Sequence, residues 1–235
     1  MQVKCVWEHN GEDTLLYCVD YPGAYTRGKR LSVAKEKMQD ELASYTAWTS
    51  GIAPEHVVLE ITQEKNSDLQ IADADSDVLF EEEKRPLLRE EYDVLKALAL
   101  KSAGDFYELY LSVPNKNESC LPERTTFYGM VPRTARQMYE HTKNVNAYYF
   151  GEVGVEADNN GTILKCREHG FELLEQNPQF LSNPVFEGSY GEQWTVRKML
   201  RSFLWHDRIH AKAMYRMAGK TFGISGAKNV FRFSI

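Results

Sequence analysis

The C-terminal part of the chain contains the segment MLRSFLWHDRIHAKAMYRM, residues 199–217. Its apolar residues recur every three or four positions, which is the spacing of one face of an α-helix. Two histidines, His206 and His210, fall on that apolar face one turn apart. Two imidazoles in this arrangement can bind one metal ion if further ligands come from elsewhere in the fold.

A second helical pattern, at residues 134–148, carries a third histidine, His141, on its apolar face. Burying three imidazoles without partners costs free energy, whereas one shared divalent ion would satisfy all three. Three protein ligands also leave a position for water or substrate, which is typical of catalytic sites. The pattern thus predicts a metal site of His141, His206 and His210. Spacing alone leaves open the alternative that these are hydrogen-bonded core histidines.

Zinc is the metal that we expect at this site, with nickel, iron and manganese as alternatives, because all four accept imidazole ligands. The four cysteines form no CxxC pair. A cysteine zinc site is therefore not expected, and scattered cysteines indicate reduced thiols in a cytoplasmic protein. The N-terminus has no apolar signal region, and no segment has the ~20 apolar residues that cross a bilayer. Membrane association is not expected.

The 235 residues carry a net charge of -6, so an overall basic surface for nucleic acid is not expected. This charge is uneven along the chain. Residues 1–84 have 8 Lys and Arg against 17 Asp and Glu, a net charge of -9, and residues 85–235 have 20 against 17, a net charge of +3. This asymmetry favours two domains, 1–84 and 85–235.

The first domain is predicted to have the order β-β-β-α-β. Alternating or β-rich segments place strands at 3–7, 15–19, 24–28 and 57–61, with a helix at 32–48. His9 falls in the polar turn between the first two strands. The acidic segment 67–85 is predicted to be an exposed strand and linker.

The second domain is predicted to contain four helices joined by loops. They cover residues 86–111, residues from 132 to before the turn at 158–161, residues 162–176 and residues 192–218. Pro86 and Pro132 suit first helical positions, and Gly219 suits a helix end. Residues 229–233 are predicted to be extended. The resulting fold class is α+β, a small β-β-β-α-β domain followed by an up-down four-helix bundle.

Several other residues carry weaker functional signals. His56 and His169 are expected in loops or at the surface, and Cys166 with His169 makes a poor nucleophile pair without a third member. Asp207 and Glu140 neighbour the predicted ligands, but adjacent positions on a helix point away from each other. Cationic residues are expected on the outer side of the last helix, where they would form a solvated face: Arg197, Lys198, Arg201, Arg208, Lys212 and Arg216.

Two resemblances to known families follow from these segments. The sequence TARQMYEH at 134–141, with WTVRKML at 194–200 and HDRIH at 206–210, resembles the DinB family over roughly residues 86–220. That resemblance implies a four-helix bundle with a metal-binding histidine triad, here His141, His206 and His210. Characterised relatives include metal-dependent thiol transferases and a mycothiol-dependent isomerase. A low-molecular-weight thiol is thus an implied cofactor.

The sequence YCVDYPGAYTRG at 17–28, followed by SVAK at 32–35, resembles the HicB-like domain over about 50 residues. This domain has a small β-β-β-α-β fold similar to a partial RNase H and often neutralises toxins beside a DNA-binding domain. No helix-turn-helix or ribbon-helix-helix segment follows here. We therefore expect a scaffold or dimerisation unit.

Two functions are consistent with these patterns. In the first, the chain is an enzyme whose metal activates a thiol or water toward a small-molecule electrophile, in a transferase or hydrolase reaction. In the alternative, it is a non-catalytic regulatory or interaction protein whose acidic first domain binds a protein partner. The resemblance to the DinB family also implies a homodimer.

Overall fold

The computed structural model describes residues 1–49, 51–126, 128–223 and 226–234. The fold is mixed α+β, as predicted, with an N-terminal four-stranded sheet and five α-helices in the described ranges. No helix in these ranges is both long and apolar enough to span a bilayer. Residue 235, the last residue of the predicted second domain, lies outside the described ranges. The domain boundary between residues 84 and 85 stays a prediction.

The N-terminal sheet has the predicted element order. Its strands and its helix are β1 (Gln2–Asn10), β2 (Asp13–Cys18), β3 (Tyr25–Gly28), α1 (Leu31–Thr49) and β4 (Val58–Asn66). The strand order is β3-β2-β1-β4, with β4 parallel to β1 and the other pairs antiparallel. The β1–β2 turn is shorter than expected, because pairing continues to Asn10 and Asp13. His9 therefore lies in a strand and not in a turn.

The remaining helices pack on one another and on the sheet. They are α2 (Arg89–Ser112), α3 (Ala135–Gly151), α4 (Ile163–Leu174) and α5 (Val196–Phe222). Helices α2 and α3 each contact both α4 and α5. Two short hairpins, which the sequence analysis missed, are β5 (Thr125–Thr126) with β6 (Gly129–Met130) and β7 (Phe186–Glu187) with β8 (Gln193–Trp194). Two-residue strands have too few residues to show an alternating pattern.

Helices α2 and α5 begin where side chains cap them, later than the sequence pattern predicted. Helix α2 starts after Pro86, where the Glu91 carboxylate accepts a hydrogen bond from the Leu88 amide at 3.1 Å. Helix α5 starts after residue 192, because β8 occupies the preceding residues and Thr195 Oγ1 accepts from the Lys198 amide at 3.0 Å. Helix α5 also continues through Gly219 to Phe222. Local side-chain hydrogen bonds therefore set these boundaries.

The acidic segment 67–85 is not the exposed strand and linker that its composition predicted. It forms 3-10 turns at Ile71–Asp73 and Glu81–Lys84, and it buries Val78, Phe80 and Glu83. The Glu83 carboxylate is 2.5 Å from Arg201 Nε of α5, which compensates its burial. The acidic composition of the segment could not predict the burial of Glu83, because the cation that pairs with it, Arg201, is 118 residues away in the sequence.

The C-terminal tail does not form the extended segment predicted at 229–233, because residues 230 and 231 lie in a turn. Phe231 and Phe233 are buried and stack on each other, and Phe231 stacks on Trp48 of α1 at a centroid distance of 5.2 Å. One hydrophobic cluster contains these aromatic residues together with residues of the sheet and of α2, α3 and α5. The two predicted domains thus share a core.

Gly23 lies where the turn between β2 and β3 packs against α5. It lies in the turn at 21–24, where the Ala24 amide donates to the Tyr21 carbonyl at 2.9 Å, and its φ is +90°. A Cβ at this position would lie 2.5 Å from Leu204 Cβ and 3.0 Å from the Leu204 carbonyl carbon. Glycine is therefore required both for backbone conformation and for space.

We expect Gly23→Ala to lower the free energy of unfolding by about 2–4 kcal/mol, from left-handed strain plus overpacking. Gly11→Ala is the matched control, because Gly11 has a φ of +57° and a Cβ added there would meet no atom within 4 Å. That control should lose only the strain contribution, about 1–2 kcal/mol. Equal losses in urea unfolding of the two variants would contradict the close packing at Leu204.

Candidate metal centre

The three histidines predicted from the sequence meet between α3 and α5. His141 comes from α3, and His206 and His210 come from successive turns of α5. His206 Nε2 is 3.3 Å from His141 Nε2, and one nitrogen of each of the three rings lies within 4.8 Å of the others. Two nitrogens bound to one tetrahedral zinc ion at about 2.0–2.1 Å lie roughly 3.3 Å apart. The cluster could therefore hold one metal ion with small adjustments of the side chains.

Electrostatics keeps the three imidazoles neutral at pH 7. Burial lowers the pKa of His210 to about 3, with a further contribution from His141. Burial, followed by His210, His141 and Arg167, holds the pKa of His206 well below its usual range, and burial lowers the pKa of His141. A neutral imidazole keeps the lone pair that binds a metal. The rings are therefore in the protonation state that ligation requires.

The orientation of His206 is determined by packing. Its ring makes an edge contact with Tyr149 of α3 at a centroid distance of 6.0 Å. Its second nitrogen, Nδ1, is buried and has no hydrogen-bond partner in the part of the chain that the structure describes. Metal-binding histidines usually donate their second N–H to a carboxylate or carbonyl. Here Asp207, the adjacent carboxylate, does not fill that role.

Asp207 instead pairs with Arg167 of α4. Arg167 Nη1 is 2.5 Å from Asp207 Oδ2, Nη2 is 3.2 Å from Oδ1, and both side chains are fully buried. Arg167 also donates to the Ala99 carbonyl of α2 at 3.2 Å and stacks on Phe203 at 4.1 Å. The Arg167–Asp207 pair therefore links α2, α4 and α5, and Asp207 directly follows His206 in the sequence.

Arg167 was not predicted to be buried beside the site, although its sequence position carries a signal. Arg167 interrupts an apolar stripe on α4 in the same way that the histidines interrupt theirs, since Ile163, Gly170 and Leu174 share its face and are buried. A charge on a buried stripe indicates a buried partner. The stripe could have predicted that Arg167 is paired, but not that Asp207 is the partner.

The cations of α5 do not form the solvated outer face that was predicted. Most of them bind acidic side chains of other elements: Arg197 with Glu91, Lys198 with Glu192, Arg201 with Glu83, and Arg208 and Lys212 with Glu41. Lys198, Arg201 and Arg208 are buried, and Arg216 is exposed. Charges that pair between elements in this way are structural contacts, so these cations do not indicate a nucleic-acid site.

The other histidines lie outside the cluster. His169 is exposed at 53% and lies 3.5 Å from Glu172, so it is not a partner of Cys166. His56 is exposed in a loop. His9 stacks on Trp7 at 4.1 Å, and its Nε2 is 3.1 Å from Glu64. Glu140 pairs with Lys143 at 2.9 Å. The contacts of His9, His169 and Glu140 are thus with residues other than the three clustered histidines.

We compared the chain with known proteins. No protein-family model matches it, and neither a curated protein nor a solved structure is similar to it. The functional interpretation therefore depends on the geometry of the site.

Proposed function

We propose that this chain is a metal-dependent enzyme in which His141, His206 and His210 hold a divalent ion that activates a thiol or a water molecule toward a small electrophile. The observation that carries this proposal is the convergence of three neutral imidazoles from two helices. A divalent ion lowers the pKa of a water or thiol bound to it, so that the nucleophile forms near neutral pH.

The composition of the donor set supports a catalytic role over a purely structural one. Structural zinc sites usually have four protein ligands, whereas catalytic sites have three. Within the described residues, the cluster contains three histidines and no cysteine or carboxylate ligand. Because the three imidazoles are neutral, they do not cancel the positive charge of a bound divalent ion. The ion would therefore attract an anionic nucleophile such as a thiolate or hydroxide.

The surrounding packing supports fixed positions for the ligands. Helix α5 carries two of the histidines and is tied to α4 through Arg167 and Asp207, and to α1 through Glu41. Burial alone would raise the pKa of Glu41, but Arg208 and Lys212 lower it, so Glu41 remains ionised. Ligands on a rigid helix keep their geometry when a substrate binds.

We also propose a more specific architecture for the chain. Helices α2–α5 are proposed to form a DinB-like up-down four-helix bundle, and the sheet with α1 to form a HicB-like domain that acts as a scaffold. The shared core between the sheet and the helices supports the scaffold role. A low-molecular-weight thiol as co-substrate and a homodimeric assembly are further parts of the proposal.

The test is a rate measurement on protein loaded separately with zinc, nickel and manganese. We expect metal-dependent transfer of glutathione or cysteine to 1-chloro-2,4-dinitrobenzene, or metal-dependent hydrolysis of p-nitrophenyl acetate. His206→Ala should lower this rate at least about 100-fold, since losing even a ligand's hydrogen-bond partner can cost that much. The control is His169→Ala, at an exposed histidine on α4. If the protein binds metal but accelerates neither reaction over the rate without protein, the proposal that the chain is an enzyme is contradicted.

That outcome would favour the alternative, an interaction protein that binds a partner through the acidic first domain. In the structure, several carboxylates of this domain are buried and cannot contact a partner. Three of its carboxylates, Glu8, Glu41 and Glu83, are buried, and the last two are paired with α5. The domain's net charge therefore overstates its exposed negative charge.

A further inference from the structure

A groove of about 940 Å³ lies between β3, α1 and the C-terminal half of α5, outside the histidine cluster. Its charge is opposite to that of the whole chain. Six cationic side chains line it, against the acidic Asp13, Asp40 and Glu41. The cations are Arg27, Lys29, Arg30, Lys37, Lys212 and Arg216. The chain as a whole has a net charge of -6. We call this feature the α1–α5 groove.

Part of the positive charge in the groove is uncompensated. Glu41 is held by Arg208 at 2.6 Å and by Lys212 at 2.7 Å, so it does not offset the other cations. In the described part of the chain, the side chains of Lys29, Arg30 and Arg216 have neither a hydrogen bond nor an ion pair, and all three are exposed. Three such cations at one groove favour an anionic ligand.

The first turn of α1 adds a second source of positive potential. The first amide groups of a helix have no acceptor within the helix, and the helix dipole is positive at this end. Arg30, immediately before α1, and Val33 in its first turn both line the groove, and the first turn contains no acidic residue. Helix N-termini with nearby cations bind phosphate groups.

The remaining walls are apolar and favour a ligand with an organic portion. Tyr25, Ile71, Ile209 and Phe233 line the groove beside the cations. The volume of the groove lies within the range of roughly 300–1,000 Å³ that is typical of small-molecule sites. A long polyanion would extend beyond the groove onto a surface with net negative charge, so a small ligand fits better than nucleic acid.

We propose that the α1–α5 groove binds a small phosphorylated molecule with an apolar or aromatic portion. The first turn of α1 and the side chains of Lys29, Arg30 and Arg216 bind the phosphate. The apolar walls bind the rest of the molecule. This site is separate from the histidine cluster and does not depend on metal binding.

The test is calorimetric titration with adenosine 5′-monophosphate and phenyl phosphate, with adenosine as the probe that lacks phosphate. We expect one saturable site per chain for at least one phosphorylated probe and much weaker binding of adenosine. The variant Arg30→Ala/Arg216→Ala should weaken binding at least about tenfold, because two charge-assisted contacts are lost. The matched control is Lys165→Ala/Lys220→Ala, which removes two exposed cations outside the groove.

Both altered arginines are exposed, so the variant should fold, and circular dichroism checks this. His206→Ala should leave the binding of both phosphorylated probes unchanged. The proposal is overturned if neither phosphorylated probe binds saturably, or if the two double variants weaken binding equally. Binding of a single-stranded 20-nucleotide DNA without binding of the small probes would also overturn it and indicate a nucleic-acid surface.

Discussion

Wild-type protein incubated with zinc and then dialysed is expected to retain about one ion per chain, and His206→Ala is expected to lose it. Three imidazoles with nitrogens within 4.8 Å of one another provide the donor set, and His206 of α5 contacts His141 of α3 directly. Removing one of three ligands should raise the dissociation constant at least about 100-fold, since losing a ligand's hydrogen-bond partner alone can reach that size. Elemental mass spectrometry and competition with a chelator measure this change.

His169→Ala is the matched control for this experiment, because it removes an exposed imidazole from α4 and should leave metal content unchanged. Zinc should also raise the Tm of the wild type and of the control, since an ion that binds only the folded state stabilises it. The Tm of His206→Ala should not respond. Either of two outcomes would contradict the metal site and indicate that the histidines are structural. One is equal metal content in His206→Ala and wild type, and the other is no metal in the wild type after incubation with zinc, nickel and manganese.

Asp207→Ala is expected to be the most destabilising substitution near the site, lowering the free energy of unfolding by about 3–5 kcal/mol. The reason is that Arg167 would remain fully buried with its charge unpaired, since the Ala99 carbonyl and the face of Phe203 are its other contacts. Equilibrium unfolding in urea measures the loss. The same substitution should disturb metal binding only through the shift of α5.

Two controls separate this effect from the loss of any ion pair. Asp93→Ala breaks the Arg89–Asp93 pair, whose side chains are 57% and 54% exposed, and should cost less than about 1 kcal/mol. Arg167→Met/Asp207→Leu replaces the buried pair by apolar side chains and should recover most of the stability lost in Asp207→Ala. If the double variant is as unstable as the single variant, the unpaired charge is not the cause.

Much of the local structure could be predicted because it depends on neighbouring residues. The alternating and helical patterns predicted the β-β-β-α-β order and the four later helices, with errors at their ends. The caps at Thr134 and Thr195 could have corrected two helix starts, since each accepts a backbone hydrogen bond from three residues ahead.

Charged residues were the main source of error. The acidic segment before α2 and the cations of α5 were both expected in solvent, yet Glu83 and Arg201 pair in the interior. Each residue alone is typical of the surface, and only their contact makes burial favourable. The tail was misjudged for a related reason, since Phe231 and Phe233 are buried by Trp48 and the rest of the core.

The sequence by itself determined that His206 and His210 lie on one face of a helix and that His141 lies on the apolar face of another. Helical periodicity is a local property, so spacing was sufficient for both statements. Only the tertiary structure decided that the three rings meet, that Asp207 binds Arg167 rather than a histidine, and that the cations beside α1 line a groove. The first two of these contacts join residues 40 or more positions apart, and local preferences carry no information about which distant surfaces pack together.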